Sequence, residues 1–153
     1  MPPADISRRG FTLLEVAMTL VIVGIAAVMV MPRASVAMTH ARVNRAAIVV
    51  AGDLELAFSL AGRQRKPVQL DFDLTNNSYT ITDRASSAVL FKRALSQDRA
   101  YALASLAATN SSVQIFPNGL ASAADTVTVS GAPPAAYSRR IAMSRTGQVR
   151  VLP

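Results

Sequence analysis

The sequence predicts an α+β chain: a long kinked N-terminal helix, with a transmembrane half and an amphipathic half, packed on a C-terminal antiparallel β-sheet domain. Three observations predict it. Residues 11–31 are apolar apart from Thr12, Glu15, Thr19 and Gly24. Beyond Pro32, apolar residues recur every three or four positions, and from Pro67 they recur every second one. A 3.6-residue period marks a helix face, and a period of two marks a half-buried strand.

Residues 1–10, MPPADISRRG, are short and polar and end in Arg8, Arg9 and Gly10. The two arginines are expected to stay in the cytoplasm while the apolar run crosses, so the chain that follows lies on the far side of the membrane. As a helix, residues 11–31 would extend about 32 Å, enough for a hydrocarbon core of about 30 Å. Three readings of this stretch compete. A cleavable secretory signal has a tolerable small-residue site at Ser35, Val36 and Ala37, but its apolar core is normally shorter and free of carboxylates. A generic single-pass anchor explains the length and leaves Glu15 unexplained.

The third reading rests on Gly10-Phe11-Thr12-Leu13-Leu14-Glu15, which closely resembles the signal of type IV prepilins and type II secretion pseudoprepilins. The resemblance implies that a prepilin peptidase cleaves between Gly10 and Phe11 and methylates the new amine of Phe11. It also implies that Glu15 serves filament assembly. A carboxylate at this depth costs about 1–3 kcal/mol on insertion scales, and the Phe11 amine of a neighbouring subunit would offset that cost. Methylation leaves the positive charge in place. The bland alternative is that Glu15 reaches the lipid headgroups.

Pro32 lacks a backbone donor and disfavours helix just before it, so a kink or local melting is expected there. The pattern resumes as an amphipathic helix over residues 32–62. Val36, Val43, Ala47, Val50, Leu54, Phe58 and Ala61 hold one stripe, while Arg33, Arg42, Arg45, Asp53 and Glu55 fall largely elsewhere. Gly62 is the expected stop. His40 is the single histidine, and a surface or lightly packed role is expected for it. The following Gly-Arg-Gln-Arg-Lys is read as a solvated loop whose cations suit the helix C-terminus, with phosphate binding as the sharper alternative.

In the remaining residues, 63–153, Val68, Leu70 and Phe72 alternate with polar residues, residues 74–78 turn, and Tyr79 and Ile81 alternate again, giving a hairpin with one buried face. Asp71 and Asp73 share its outer face; a solvated strand outweighs a metal site there. Strand character is expected at residues 88–91, and residues 95–106 stay undecided between helix and strand. Residues 113–116 form a strand, Pro117, Asn118 and Gly119 a turn, and residues 126–130 a strand with Val127 and Val129 inward. A proline-rich loop follows at 131–136. The last hairpin places Ile141, Met143, Val149 and Val151 inward, with Arg145, Thr146 and Gly147 in its turn. This order, with its Phe-Pro-x-Gly and Gly-x-Val-Arg-Val segments, resembles the GspH/FimT group of minor pseudopilins and minor pilins.

The chain has 153 residues and a formal charge of +7, from 16 basic and 9 acidic residues. Losing Arg8, Arg9 and Asp5 with a leader leaves 14 and 8, or +6. Such a charge suits nucleic acid or an anionic surface without choosing between them. Cysteine is absent, which removes thiolate chemistry and a disulfide framework. With one histidine, no zinc-spaced cluster, phosphate-binding glycine loop or nucleophile elbow is present, so neither an enzyme nor a cofactor is expected.

The resemblance therefore implies a minor pseudopilin of a type II secretion pseudopilus. Its partners would be other major and minor pilins or pseudopilins, the prepilin peptidase and an inner-membrane assembly platform. The expected location is the inner membrane, with the N-terminus cytoplasmic and the C-terminal domain periplasmic, and then the filament. The alternative is a FimT-like minor type IV pilin that holds DNA for uptake through Arg140, Arg145 and Arg150. FimT-type pilins carry Gly-Arg-x-Arg at this place, whereas this chain reads Gly147-Gln148-Val149-Arg150.

Overall fold

The structure, a computed structural model, describes residues 10–96, 100–101, 103–133 and 135–153, with residues 29–32 described by backbone alone. The expected leader, including Arg8 and Arg9, lies outside the described residues apart from Gly10. The chain divides into two compact units, Met1–Ser35 and Val36–Pro153. Helix α1 (Leu13–Gln64) is a single element. Its helical backbone continues through position 32, so the local melting allowed by Pro32 is not what the chain adopts; a bend there stays an expectation. The helix also runs beyond Gly62, and Arg65 takes the left-handed conformation that ends it, with φ of 53°.

Among the described residues eight strands follow, in two antiparallel sheets. The first sheet is ordered β3-β2-β1-β5 and the second β4-β6-β7-β8. The first consists of β1 (Val68–Asp73), β2 (Ser78–Asp83), β3 (Val89–Ala94) and β5 (Ser112–Ile115). The second consists of β4 (Ser105–Ala108), β6 (Asp125–Ser130), β7 (Ser138–Met143) and β8 (Val149–Leu152). Pairing of Leu70 with both Ile81 and Val113 places these three side chains on one buried face.

That face meets the stripe of α1. Val43, Ala47, Val50, Leu54 and Ala61 are buried as the spacing requires, together with Ala46 and Ala57, and Phe58 is half-buried. Each large aliphatic side chain buried in this way contributes about 1.5–3 kcal/mol. Close approach between helix and loop is set at Gly131, where a β-carbon would lie 2.4 Å from Thr39 Cγ2 and 3.0 Å from Val43 Cγ2.

Two expectations are corrected, for Asp53 and Val151, and one stretch left open is decided. Asp53 is not on the solvent side of α1; it is buried and paired with Arg93 of β3. Residues 95–106 include no described helix, and β4 occupies their end. Leu95, Tyr101 and Leu103 drop into the core, so the apolar content that suggested helix is used by a connection. Val151, expected inward, is 42% exposed. It lies opposite the buried Ile141, but β8 is the outermost strand of its sheet, so no further strand flanks it.

Candidate functional sites: the N-terminal helix and the C-terminal hairpin

The start of α1 is built by Thr12. Its Oγ1 accepts the Glu15 backbone N–H at 3.2 Å, and its carbonyl accepts that of Val16, also at 3.2 Å. A threonine cap three residues before a glutamate matches half of a capping box. This sequence signal was available beside the Glu15 assembly reading and was missed. Glu15 thus stands in the first helical turn, where a negative charge also meets the positive end of the helix dipole.

Gly10, Phe11 and Glu15 are all exposed, and so are the apolar side chains that follow as far as Val28. Phe11 is 83% exposed, Leu13 88% and Val28 74%. Within the described residues, α1 is the one helix long and apolar enough to cross a membrane. A contiguous apolar surface of this extent calls for lipid or protein around it.

At the other end of the sequence, β7 and β8 pair Arg140 with Leu152 and Ala142 with Arg150. Directly opposed residues of an antiparallel pair share a face, so Arg140 and Arg150 lie on the same outer face as diagonal neighbours. Such neighbours stand about 7–8 Å apart. Both are exposed, as is Arg145 in the turn. The structure therefore brings Arg140 and Arg150 together and sets Arg145 beyond the end of the hairpin.

Gly147 shapes that turn with φ of 80°, and a β-carbon there would stand 3.3 Å from both Phe58 Cε1 and the Gly119 carbonyl oxygen. Gln148, where FimT-type pilins carry arginine, closes the turn. Its N–H donates to Ser144 Oγ at 3.0 Å and its carbonyl accepts the Ser144 N–H at 2.8 Å. Arg139 is committed elsewhere: its Nε donates to Asn44 Oδ1 at 2.9 Å and its guanidinium covers the Tyr137 ring. Tyr137 stacks on His40 with ring centroids 4.0 Å apart, which gives the single histidine a packing role.

Asp71 and Asp73 do not converge on a ligand. Asp71 accepts from Gln69 Nε2 at 2.8 Å, and Asp73 caps the β1–β2 turn through the Asn76 N–H at 3.0 Å. Among the described residues no group of three or more acidic or histidine side chains stands close enough to hold a metal.

A model of the family described as type II transport protein GspH matches residues 46–147, more than half of the chain. The chain belongs to the GspH family. The prokaryotic N-terminal methylation motif matches residues 6–31, over the capped start of α1. No match is found among curated proteins.

Two crystal forms of the type IV minor pilin FimU from Pseudomonas aeruginosa are 18% and 20% identical to this GspH-family chain, with TM-scores of 0.58 and 0.60. They cover 72% of it and 92% and 88% of their own chains. The minor pseudopilin EpsH of the Vibrio cholerae type 2 secretion system is 13% identical with a TM-score of 0.58, over 72% of this chain and 96% of its own. At these identities the likeness is one of fold. Family membership and the methylation motif together make the chain a pilin-like minor subunit.

Proposed function

We propose that this GspH-family subunit is cleaved between Gly10 and Phe11, methylated at the Phe11 amine and built into a type II secretion pseudopilus through α1. The observation that carries the reading is the unpartnered apolar surface at the start of α1, broken only by the charge of Glu15 in its first turn. Before assembly, lipid covers that surface; in the filament, the same stretch of neighbouring helices replaces it. Glu15 then pairs with the Phe11 amine of the next subunit, which offsets the desolvation of both charges. The domain formed by residues 63–153 with the second half of α1 lies in the periplasm, and Pro32 allows the helix to bend between its two environments.

The direct test of processing is the intact mass of the chain extracted from membranes. It is expected to lack residues 1–10 and to carry one methyl group, about 14 Da. Recovery of the uncleaved chain from a strain with an active prepilin peptidase would reject this part of the reading.

One observation favours a second reading. Arg140 and Arg150 share an exposed face on which the opposing β6 positions are threonines rather than carboxylates. A FimT-like minor type IV pilin would use that face to hold DNA phosphates for uptake. Gln148 in place of an arginine and the separate position of Arg145 leave only two cations on the face, so the pseudopilus reading is preferred.

A further inference from the structure

A second cationic surface lies at the C-terminal end of α1. Arg63 is in its last turn, Arg65 ends it, Lys66 follows, and Arg84 is held alongside because its backbone N–H donates to the Pro67 carbonyl at 3.2 Å. All four side chains are exposed. Favourable interaction with the helix dipole accounts for one or two of them, not for Arg84, which comes from the β2–β3 connection. Nor does the backbone of Arg65 ask for a cation. Left-handed backbone is taken most easily by glycine, yet the only nearby glycine, Gly62, lies three residues earlier within the helix.

The one neighbouring acid is already engaged. Asp83 accepts the N–H groups of Ala85 and Ser86 at 2.7 and 3.1 Å and stands 4.0 Å from Lys66 Nζ. Among the described residues no carboxylate lies within 4.0 Å of Arg63, Arg65 or Arg84. Three forked guanidinium groups are thus left on one end-face, suited to bidentate carboxylate pairing.

We infer that this end-face docks an acidic protein surface, a carboxylate-rich patch on a different subunit of the filament. The inference rests on the assembly reading above and adds the chemistry of the partner. A second copy of the chain is disfavoured because each copy carries a net positive charge of six or seven. Nucleic acid is the weaker fit: the cations form a compact cap without an aromatic side chain among them, rather than a stripe that follows a phosphate backbone.

The test is binding of poly-L-glutamate to the full chain in neutral detergent at low salt. The Arg65→Gln/Arg84→Gln variant is expected to bind about tenfold more weakly than the parent. Arg42→Gln/Arg45→Gln, which removes the same charge from the exposed side of α1, is expected to change affinity less than about twofold. Equal losses in the two variants, or none in the first, would overturn the inference. Tighter binding of duplex DNA or inorganic polyphosphate than of poly-L-glutamate, with the same dependence on Arg65 and Arg84, would overturn the carboxylate assignment. Neither readout depends on leader cleavage or filament entry, so failure here is distinguishable from failure of the assembly reading.

Discussion

Tyr79 of β2 donates its hydroxyl hydrogen to Oδ2 of Asp53 on α1 at 2.5 Å, and the same carboxylate receives two donors from the Arg93 guanidinium of β3. One buried acid on the helix therefore holds two adjacent strands of the first sheet. Burial, reinforced by the hydrogen bond to Asp53, raises the Tyr79 hydroxyl pKa far above its usual range. The hydrogen bond to Asp53 raises that of Arg93. Tyr79 stays neutral and Arg93 charged wherever the protein is folded.

Removing the acid strands the guanidinium in a partly buried position. Asp53→Ala is expected to cost about 3 kcal/mol of unfolding free energy, and Tyr79→Phe about 1 kcal/mol. Urea unfolding of the full chain in detergent, followed through the β-sheet signal, measures both. A cost below about 0.5 kcal/mol for Asp53→Ala would mean that the network does not hold helix to sheet.

Gly131→Ala tests the closest approach between the proline-rich loop and α1. The new methyl group would meet Thr39 Cγ2 and Val43 Cγ2, and overpacking of this kind costs about 1–3 kcal/mol. Thr39→Ser removes the nearer methyl while keeping the hydroxyl, so the double variant should recover part of the loss. Thermal unfolding of the three variants provides the comparison.

Asp83 predicts an acid-dependent component of stability. Hydrogen bonds from the Ser86 and Ala85 backbone, followed by the charge of Lys66, lower its pKa in the folded protein below the ordinary carboxylate value. The stabilisation is therefore full above the unfolded-state pKa, about 4, and is lost as pH falls through the folded value. Urea midpoints of the parent and Asp83→Asn should differ at neutral pH and converge on acidification. A difference that does not shrink as pH falls below the unfolded-state value would exclude this origin.

The DNA reading has its own signature. If Arg140 and Arg150 each neutralise a phosphate, Arg140→Ala/Arg150→Ala should reduce the slope of log affinity against log salt by about 1.8 for duplex DNA. Absence of DNA retention by the parent at low salt removes this reading.

Most of the fold was legible because its periods are clean. The stripe from Val43 to Ala61 and the alternation in β1, β2 and β6 mark the faces that are buried. Three features were not legible, each for a physical reason. Asp53 carries a charge, and only the positions of Tyr79 and Arg93 across the sheet make its burial tolerable. Asn77, with φ of 47°, accepts the Leu106 N–H at 2.7 Å and fixes β4 beside the β1–β2 turn, a contact 29 residues distant that no local pattern encodes. The exposure of Val151 depends on strand order rather than on its own alternation. At the functional end, Gly10, Phe11 and Glu15 stood out as a local motif, whereas the shared face of Arg140 and Arg150 required the register of β7 and β8.

Incorporation of Glu15→Leu into the filament decides whether Glu15 serves assembly. Thr12→Ala is the control: it removes the helix cap, worth about 1 kcal/mol, and leaves the carboxylate. Both variants are expected to be cleaved behind Gly10 and to reach the membrane in parental amounts. Thr12→Ala is then expected to enter the filament and Glu15→Leu to be excluded, as read from the subunit content of sheared filaments. Incorporation of Glu15→Leu at the parental level would contradict the assembly role of Glu15.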